Sequence, residues 1–426
     1  MSGGARKDRK VLLVVNNFPP VRGGSAVVYA NLARHGGGRI MVLAPRISYA
    51  DGLPLIGWRE YDRKAPFPIR RLTLLRTVIA PPRGQWFGKL RFRVSDMLIR
   101  LRLAATVLWL IAHEGIGAVC LGELLASGWL VGLLRYIPGI TTLVYVHGEE
   151  ITTDDPYDPD YRRRRRGLLG VDHVIVVSRF TLGAVRRLLG AESKARISLI
   201  ENGVDTARFR PTAKRADLLR LYRLAGAFVF VSVCRLLEKK GIDQAIRAFA
   251  EIAPARPAIR LLIVGQGPYR ARLEAIAREA GVADKVVFTG LVPEDDLVDH
   301  YCLGDVFVMP NRALPDGDTE GFGLVFLEAN SCGLPVIAGR DGGSTDAVAD
   351  GVNGIVVDGG SVAAIAGAMA RLHDDADLRA TLRRQGLATA AAAGWEEKSA
   401  AFVRLALDGD ALPGDEAVAK MPPRGA

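Results

Sequence analysis

Residues 320–328 read EGFGLVFLE, and this stretch anchors the interpretation of the whole chain. An apolar run at 305–310 precedes it and predicts a buried strand, and 324–331 has the pattern of a helix. Glu320 therefore lies on a loop at the carboxyl end of a strand, and Glu328 lies about one turn inside the next helix. Ligands bind at that edge of open α/β sheets, where helix N-termini favour anions. A phosphate site between two carboxylates fits this pattern, as does an ordinary junction with two solvated glutamates.

Strand and helix patterns alternate along most of the chain, and the alternation starts afresh near its middle. This order predicts an α/β fold of two doubly wound, Rossmann-like domains that face each other across a cleft. We place the N-terminal domain at residues 1–208 and the C-terminal domain at 209–394, with a linker at 211–216. A final helix is expected at 395–408, followed by a disordered tail at 409–426.

Charge and composition narrow the classes of partner. The chain has 426 residues, of which 49% are apolar, and a formal net charge of +11. That excess charge indicates nucleic acid, anionic lipid or anionic ligands as the partner. Because no helix-turn-helix, RNP or zinc pattern occurs, we expect no nucleic-acid partner.

The cysteines and apolar segments bear on the compartment. The four cysteines are scattered and show no metal-ligand spacing, which indicates reduced thiols in a cytosolic protein. Asp158 and Asp160 have a DxD spacing, but no buried strand precedes them, so we expect no metal there. The start of the chain has no signal-peptide pattern, and the longest apolar stretch, 115–134, is interrupted by Glu123. We expect a cytoplasmic protein, soluble or peripheral on the inner face of the cell membrane.

Two basic segments suggest a surface for an anionic partner. Arg83–Arg102 interleaves arginines with Trp86, Phe87 and leucines, and Arg162–Arg166 is a run of five arginines. Such segments suit an anionic membrane surface. A helix packed on its domain, with a solvated basic face, fits the same pattern. The stretch 50–82, rich in proline and arginine, is predicted to be irregular.

Three further strand ends carry candidate ligand groups. Gly23 and Gly24 form a glycine loop between a strand and a helix, which suits a phosphate or a simple tight turn. His147 follows a strand and precedes a glycine, a position open to a functional or a structural histidine. Arg235 and Lys240 follow another strand and suit a diphosphate, although a basic surface loop has the same appearance.

Taken in chain order, these motifs resemble the retaining GT-B glycosyltransferases of family 4. The hallmark of that family is a Glu–seven residues–Glu motif, as in Glu320 and Glu328. The resemblance extends over about residues 10–407. The motifs that carry it are Gly23-Gly24, His147-Gly148, Glu201-Asn202-Gly203-Val204-Asp205, Arg235 with Lys240-Gly241, Glu320-Gly321-Phe322-Gly323 with Glu328, and Gly342-Gly343.

The resemblance implies roles for residues of the C-terminal domain, which is expected to bind the nucleotide sugar. Arg235 and Lys240 would hold the diphosphate and stabilise its departure. Glu328 would accept hydrogen bonds from the ribose, and Glu320 would contact hydroxyls of the donor sugar. The loop around Gly321 and Gly323 would turn the N–H groups of Phe322 to Leu324 toward the phosphates.

The resemblance also implies roles for the N-terminal domain, which is expected to bind the acceptor. His147 would lie beside the donor sugar and the reacting centre. The loop at Gly23 and Gly24 would close over the diphosphate, and Asn202 would lie near the hinge. The last helix, from Trp395, would cross back to the N-terminal domain.

The expected reaction is retaining hexosyl transfer from a nucleotide-diphosphate sugar to a lipid-linked or glycan acceptor, in cell-envelope polysaccharide or glycolipid synthesis. GDP-mannose and UDP-sugars both remain open as donors. No metal or other cofactor is expected, and the sequence identifies no nucleophile. Two alternatives stay open: a non-hydrolysing sugar-nucleotide epimerase, and a non-catalytic protein that binds a membrane surface.

Overall fold

The computed structural model describes residues 9–78, 86–155, 158–190, 193 and 195–409. The tail expected to be disordered, from 410 onward, lies outside the described residues, as do positions 83–85 of the first basic segment. The side chains of Trp86 and Phe87 are also outside the description.

Thirteen strands and seventeen α-helices occur within the described residues. The strands are β1 (Lys10–Val14), β2 (Ile40–Pro45), β3 (Ile69–Leu72), β4 (Ile116–Leu121), β5 (Thr141–Val146), β6 (His173–Val176), β7 (Ile197–Leu199), β8 (Phe228–Val233), β9 (Ile259–Val264), β10 (Val286–Gly290), β11 (Val306–Met309), β12 (Val336–Gly339) and β13 (Gly354–Val357). The helices are α1 (Gly24–His35), α2 (Trp58–Lys64), α3 (Trp86–His113), α4 (Leu124–Ser127), α5 (Val131–Leu134), α6 (Glu149–Thr152), α7 (Arg162–Gly170), α8 (Arg179–Leu189), α9 (Ala216–Leu221), α10 (Ile242–Ile252), α11 (Arg270–Glu279), α12 (Leu297–Cys302), α13 (Leu324–Ser331), α14 (Ser344–Ala347), α15 (Val362–Asp374), α16 (Ala376–Ala392) and α17 (Trp395–Asp408).

The chain divides into two compact units. Unit 1 comprises residues 1–151, 155–201 and 395–426, and unit 2 comprises 152–154 and 202–394. The chain therefore passes into unit 2 at Asn202, before the linker that the sequence analysis placed at 211–216.

Each unit is built on one parallel sheet, as the alternation of strand and helix patterns predicted. The sheet of unit 1 has the order β3-β2-β1-β4-β5-β6-β7, and that of unit 2 has the order β10-β9-β8-β11-β12-β13. Central strands such as β1 and β4 are almost wholly buried, which explains their continuous apolar sequences. In both sheets the carboxyl ends of the strands lie along one edge.

The last helix belongs to unit 1 although it follows all of unit 2 in the chain. α17 packs against α1 and against strands β1, β4 and β5. Trp395, Phe402 and Leu405 are at most 1% exposed in that contact. The expected crossing of the last helix back to the N-terminal part of the fold is therefore confirmed.

The prediction that 50–82 is irregular was wrong for two segments. α2 and β3 lie within that stretch, and β3 pairs with β2 as an edge strand. β3 has the sequence IRRL. Because an edge strand is only partly buried, it does not need a continuous apolar run, and its arginines made the segment resemble a loop. Arg71 is held there by hydrogen bonds to Asp62 at 2.8 Å and to the carbonyl oxygen of Pro45 at 2.9 Å.

Candidate active site

The loops that follow β8 and β11 carry the donor-side residues at one edge of the unit 2 sheet. β8 and β11 are neighbours in that sheet, so both loops leave from the same edge. The loop after β8 carries Arg235 and, on a short 3-10 helix at Glu238–Lys240, Lys240. The loop after β11 carries Glu320 and leads into α13, on which Glu328 lies. Residues that are distant in sequence are therefore neighbours along this edge.

Lys240 and Glu320 form a direct ion pair between Nζ and Oε2. Both side chains are 14% exposed, so little water screens the pair. Burial opposes the charge on each group, but the pairing outweighs it: the pKa of Lys240 is raised and that of Glu320 is lowered. Both groups therefore stay charged at neutral pH. The ammonium that was predicted to bind a phosphate also neutralises the carboxylate that was predicted to bind a sugar.

Lys239, which the sequence analysis did not single out, ties the two loops together. Its side chain donates to Asp318 Oδ1 at 2.6 Å and to the carbonyl oxygen of Thr319 at 3.2 Å. Lys239 is only 7% exposed, so this is a buried contact that joins the two loops, not an ion pair on the surface. The two adjacent lysines therefore differ in role, because successive residues of the short helix point in different directions.

Arg235 contrasts with both lysines. Its side chain is exposed and forms no ion pair with the rest of the described chain. A guanidinium presents a planar fork of N–H donors that matches two phosphate oxygens. Arg235 is therefore available to an anionic ligand without the loss of an internal partner.

The loop at 320–323 turns sharply into α13. Gly323 has φ of 90° at the helix N-cap, a left-handed conformation that favours glycine. A Cβ at this position would lie 2.5 Å from the ring of Phe326. The N-cap residue of α13 is this glycine, so no N-cap side chain accepts from the first N–H groups of the helix. Phe322 is buried and anchors the turn, and its backbone N–H donates to the Glu320 carboxylate. The N–H groups at the start of α13 are suited to phosphate oxygens.

Glu328 is largely enclosed beside α12. Its Oε2 accepts a hydrogen bond from the hydroxyl of Tyr301 at 2.7 Å. Burial raises the pKa of Glu328 to about 6, against the lowering effects of the Tyr301 hydrogen bond and of Arg208. Its Oε1 has no hydrogen bond with the described residues and can accept one from a ligand hydroxyl.

Of three other predicted residues, Gly23 and Asn202 lie on loops, and Gly24 is the first residue of α1. Gly23 and Gly24 open α1 in unit 1, with the carbonyl oxygen of Gly23 accepting from the N–H of Val27 at 3.1 Å. Asn202 is the first residue of the main segment of unit 2 and is 4% exposed. Its Oδ1 is buried without a hydrogen-bond partner in the part of the chain that the structure describes.

His147 follows β5 and is held on two sides within unit 1. Its Nε2 lies 2.7 Å from the hydroxyl of Tyr29, and its backbone N–H donates to Glu150 Oε1 at 2.7 Å. The imidazole lies against the rings of Tyr29 and Tyr145, with centroids 5.1 and 5.2 Å away. Burial lowers the pKa of His147 to about 4, so the ring is neutral at physiological pH.

A polar cluster of unit 1 was not predicted from the sequence. Glu123, on the loop after β4, accepts hydrogen bonds from Asn16 at 3.1 Å and from Asn17 at 3.2 Å. Arg76 lies 3.8 Å from the same carboxylate and over the ring of Tyr49. Burial raises the pKa of Glu123 to about 7. The only signal in the sequence was a glutamate that interrupts an apolar stretch. Carboxylate and amide groups in this arrangement can bind the hydroxyls of a polyol.

The exposed face of α3 forms a second candidate surface. Five large apolar side chains are 44–58% exposed along it, beside exposed arginines: Leu90, Val94, Met97, Leu98 and Leu101. A groove of about 370 Å³ runs between this helix and Trp129. No described helix combines the length and apolarity needed to cross a membrane.

The run of arginines at 162–166 is not a uniform basic patch. Arg164 is 1% exposed and lies 3.8 Å from both Asp155 and Asp158. Asp158 also accepts the backbone N–H groups of Arg163 and Arg164, at 2.9 and 3.0 Å. The interpretation of all five as surface arginines was therefore wrong for Arg164. Asp158 instead holds the start of α7, and no cluster of potential metal ligands occurs among the described residues.

Comparison with known proteins identifies relatives of both units. The family model "Glycosyl transferases group 1" matches residues 222–388, and "Glycosyltransferase Family 4" matches residues 22–208. The chain is 34% identical to a GDP-mannose-dependent alpha-(1-6)-phosphatidylinositol monomannoside mannosyltransferase of Mycolicibacterium smegmatis, over 86% of this chain and 89% of that protein. It is 36% identical to the protein of the same description from Mycobacterium tuberculosis, over 86% of this chain and 90% of the relative.

A solved structure supports the same architecture. Anabaena HepE in complex with UDP-glucose superposes with a TM-score of 0.72 at 20% identity, over 94% of this chain and all of that one. At that identity the likeness concerns the fold alone.

Proposed function

The chain belongs to the family 4 (group 1) glycosyltransferases, and we propose that it transfers mannose from GDP-mannose to a phosphatidylinositol-based glycolipid, with retention of configuration and without a metal ion. That it is a glycosyltransferase follows from the family. The donor and acceptor are those in the names of its relatives. The observation that carries the proposal is the set of charges at one edge of unit 2: the exposed Arg235, the Lys240–Glu320 pair and the start of α13.

This edge can stabilise a departing diphosphate. Transfer breaks the bond between the anomeric carbon and a phosphate oxygen, and negative charge grows on the leaving GDP. Arg235, Lys240 and the N–H groups at the start of α13 supply fixed positive charge and donors for it. Because Arg235, Lys240 and the start of α13 can share the stabilisation of this charge, we propose that no metal ion takes part.

Retention follows in this proposal from attack on the face that the diphosphate leaves. The acceptor hydroxyl oxygen bonds to the anomeric carbon while its proton passes to the departing phosphate oxygen, so atoms and charge balance. Glu320 orients the hydroxyls of the sugar and stays ionised through its pair with Lys240. Glu328 accepts hydrogen bonds from the ribose through Oε1.

Unit 1 is proposed to bind the polar head of the acceptor. The carboxylate of Glu123 and the amides of Asn16 and Asn17 suit the hydroxyls of an inositol or mannose ring. Arg76, beside them, suits a phosphate group. This cluster supports an acceptor that is both polyhydroxylated and anionic.

The test of the donor uses thermal stability and then transfer. Purified protein is heated with GDP-mannose, UDP-glucose or UDP-N-acetylglucosamine, since a ligand at 100 times its Kd adds about 2.7 kcal/mol of stability. GDP-mannose is expected to raise Tm most.

Transfer from GDP-mannose to phosphatidylinositol monomannoside in vesicles is then measured with and without EDTA, and NMR of the product gives its anomeric configuration. A β-mannoside product would contradict retention of configuration. Loss of activity in EDTA would contradict the metal-free mechanism.

The same purified protein distinguishes a transferase from the epimerase alternative. An epimerase converts the nucleotide sugar without any acceptor, whereas a transferase requires one. NMR of GDP-mannose incubated with the enzyme alone should show no epimerised sugar nucleotide. An epimerised product would replace the transfer proposal.

We propose further that α3 holds the protein peripherally on the anionic, cytoplasmic face of the membrane. Leu98 and Leu101 are 57% and 58% exposed and lie beside exposed Arg100 and Arg102. Such a surface brings the active site to a lipid-anchored acceptor. Sedimentation with vesicles containing anionic phospholipid should pull the protein down at physiological salt, and Leu98→Glu with Leu101→Glu should abolish this. Equal sedimentation with neutral vesicles, or none with anionic ones, would refute it.

A further inference from the structure

The hydroxyl of Tyr29 lies between two polar atoms in the interior of unit 1. It lies 2.6 Å from the carbonyl oxygen of Gly122, after β4, and 2.7 Å from Nε2 of His147, after β5. Tyr29 is fully buried on α1, so water does not substitute for either contact. The chain thus links the ends of two adjacent strands through one hydroxyl group.

The number of protons in this link fixes its direction. A carbonyl oxygen can only accept, so Tyr29 gives its single hydroxyl proton to Gly122. The oxygen of Tyr29 must then accept from His147, which requires the proton of the imidazole to be on Nε2. Burial raises the pKa of Tyr29 well above its usual value, and His147, with a pKa of about 4, is neutral. The tautomer is therefore defined across the physiological pH range.

Gly122 makes the short contact possible. A Cβ at this position would lie 2.6 Å from the hydroxyl oxygen of Tyr29 and 2.6 Å from a methyl group of Val15. Any larger residue would push the tyrosine away from the carbonyl group. Gly122, Tyr29 and His147 thus form one packed, directional unit.

The second nitrogen of His147 has the opposite character. Nδ1 has no hydrogen bond with the described residues, and it is not among the polar atoms that are sealed from solvent. In the Nε2–H tautomer this atom carries a lone pair and can only accept.

We propose that Tyr29 is a positioning residue that locks His147 as the Nε2–H tautomer, so that Nδ1 accepts a hydrogen bond from a hydroxyl group of bound substrate. The site thereby selects for a hydrogen-bond donor at that point. An ionised phosphate oxygen has no hydrogen to donate to Nδ1, so it is disfavoured there. The link from Nδ1 to substrate rests on the proposed function, whereas the tautomer does not.

NMR of the intact enzyme tests the tautomer without any ligand. In ¹⁵N-histidine-labelled protein, the His147 signals, assigned by their loss in His147→Gln, should show a protonated Nε2 and an unprotonated Nδ1. Tyr29→Phe should release this preference and give a mixture of tautomers. Tyr145→Phe is the matched control, because its hydroxyl is in the same cluster but is buried without a hydrogen-bond partner in the described structure. An Nδ1–H tautomer in wild type, or an unchanged tautomer in Tyr29→Phe, would overturn the proposal.

Ligand titrations identify the hydroxyl. The Nδ1 signal is followed with the nucleotide sugar that stabilises the protein, with its nucleoside diphosphate alone, and with the diphosphate plus phosphatidylinositol monomannoside. A shift with the nucleotide sugar assigns the hydroxyl to the donor, and a shift only in the last mixture assigns it to the acceptor. No shift in any arm overturns the substrate contact while leaving the tautomer result intact.

In transfer assays Tyr29→Phe should lower kcat roughly tenfold, with less effect on KM, the cost of about one orienting hydrogen bond. Tyr145→Phe should remain near wild type.

Discussion

Lys240 and Glu320 each have two possible partners, namely one another and the substrate. Both are mostly enclosed, so removal of either leaves the other as a poorly solvated charge. A bound diphosphate offers Lys240 a second anion, and a sugar offers Glu320 hydroxyl donors. The pair therefore keeps two oppositely charged groups in place for use on different parts of one ligand.

Loss of either member should remove most of the activity. We expect Lys240→Ala and Glu320→Ala each to reduce transfer on the order of 10²-fold or more, because a preorganised electrostatic contact is lost. Arg272→Ala, an exposed arginine on α11, is the control and should keep wild-type rates. Steady-state kcat/KM with the identified donor is the measurement. Turnover near wild type in either variant would remove that residue from the site.

Glu123 should make the stability of the protein depend on pH. Its folded pKa of about 7 is above that of an exposed carboxyl, so the native state holds the proton more tightly than the unfolded chain does. The stability this contributes is present in full below about pH 4.5 and is lost as pH rises through 7, by about 3 kcal/mol at most. Urea unfolding between about pH 5 and pH 8 should show a flatter decline in Glu123→Gln than in wild type. The exposed Glu397→Gln is the control. An unchanged slope would mean that Glu123 is ionised throughout this range.

Among the elements, α13 depends on the single glycine that precedes it. Its first turn is reached through Gly323, whose conformation and closeness to Phe326 leave no room for a side chain. The helix α3 depends instead on its periodic apolar face, which continues with Leu103, Val107 and Leu110, each at most 1% exposed. This face is why α3 extends to His113, well past the basic segment that ends at Arg102.

The same substitution should have opposite effects at the N-cap of one helix and in the interior of another. Gly323→Ala forces a non-glycine residue into a left-handed conformation and against a ring, and should cost roughly 1–3 kcal/mol of unfolding free energy. Gly367→Ala, inside α15 with nothing within 4 Å of the added Cβ, should stabilise by roughly 0.5–1 kcal/mol. Denaturant unfolding compares them. If Gly323→Ala is neutral, the turn is not constrained as described.

At the scale of the whole molecule, the chain completes unit 1 with its last described helix. α17 covers the sheet of unit 1 from a position in the sequence that follows every strand of unit 2. The core of unit 1 is therefore complete only when α17 is in place. Unit 2 contains all of its own strands within one continuous segment, 202–394.

Truncation of one α17 side chain should weaken unit 1 alone. Phe402 is fully buried near Tyr145, and Phe402→Ala should cost roughly 3–5 kcal/mol through lost burial and the cavity left behind. The rate of backbone amide hydrogen exchange should rise in β1, β4 and β5, while the amides of β8, β9 and β11 stay protected. Arg404→Ala, exposed on the same helix, should change neither set. Equal acceleration in both units would show that they unfold together.

Most of the architecture could be read from local patterns. Buried parallel strands are mostly continuous apolar runs, as in β8 (FVFVSV) and β9 (IRLLIV), and the alternation of such runs with helix patterns predicted the two units. The edge strand β3 was not predicted, since its arginines look like loop residues. Helix α7 was recognised as basic, but the burial of Arg164 was missed, because it depends on Asp155 and Asp158.

The sequence by itself determined the two α/β units, the family and the residues that carry charge at strand ends, since periodicity and short motifs are local properties. Only the tertiary structure decided how those charges are used. The Lys240–Glu320 pair, the enclosed Glu123 and the hydroxyl of Tyr29 beside His147 each join residues more than 75 positions apart. Their charge states and hydrogen-bond directions follow from burial and from the atoms they meet, and both are created by folding.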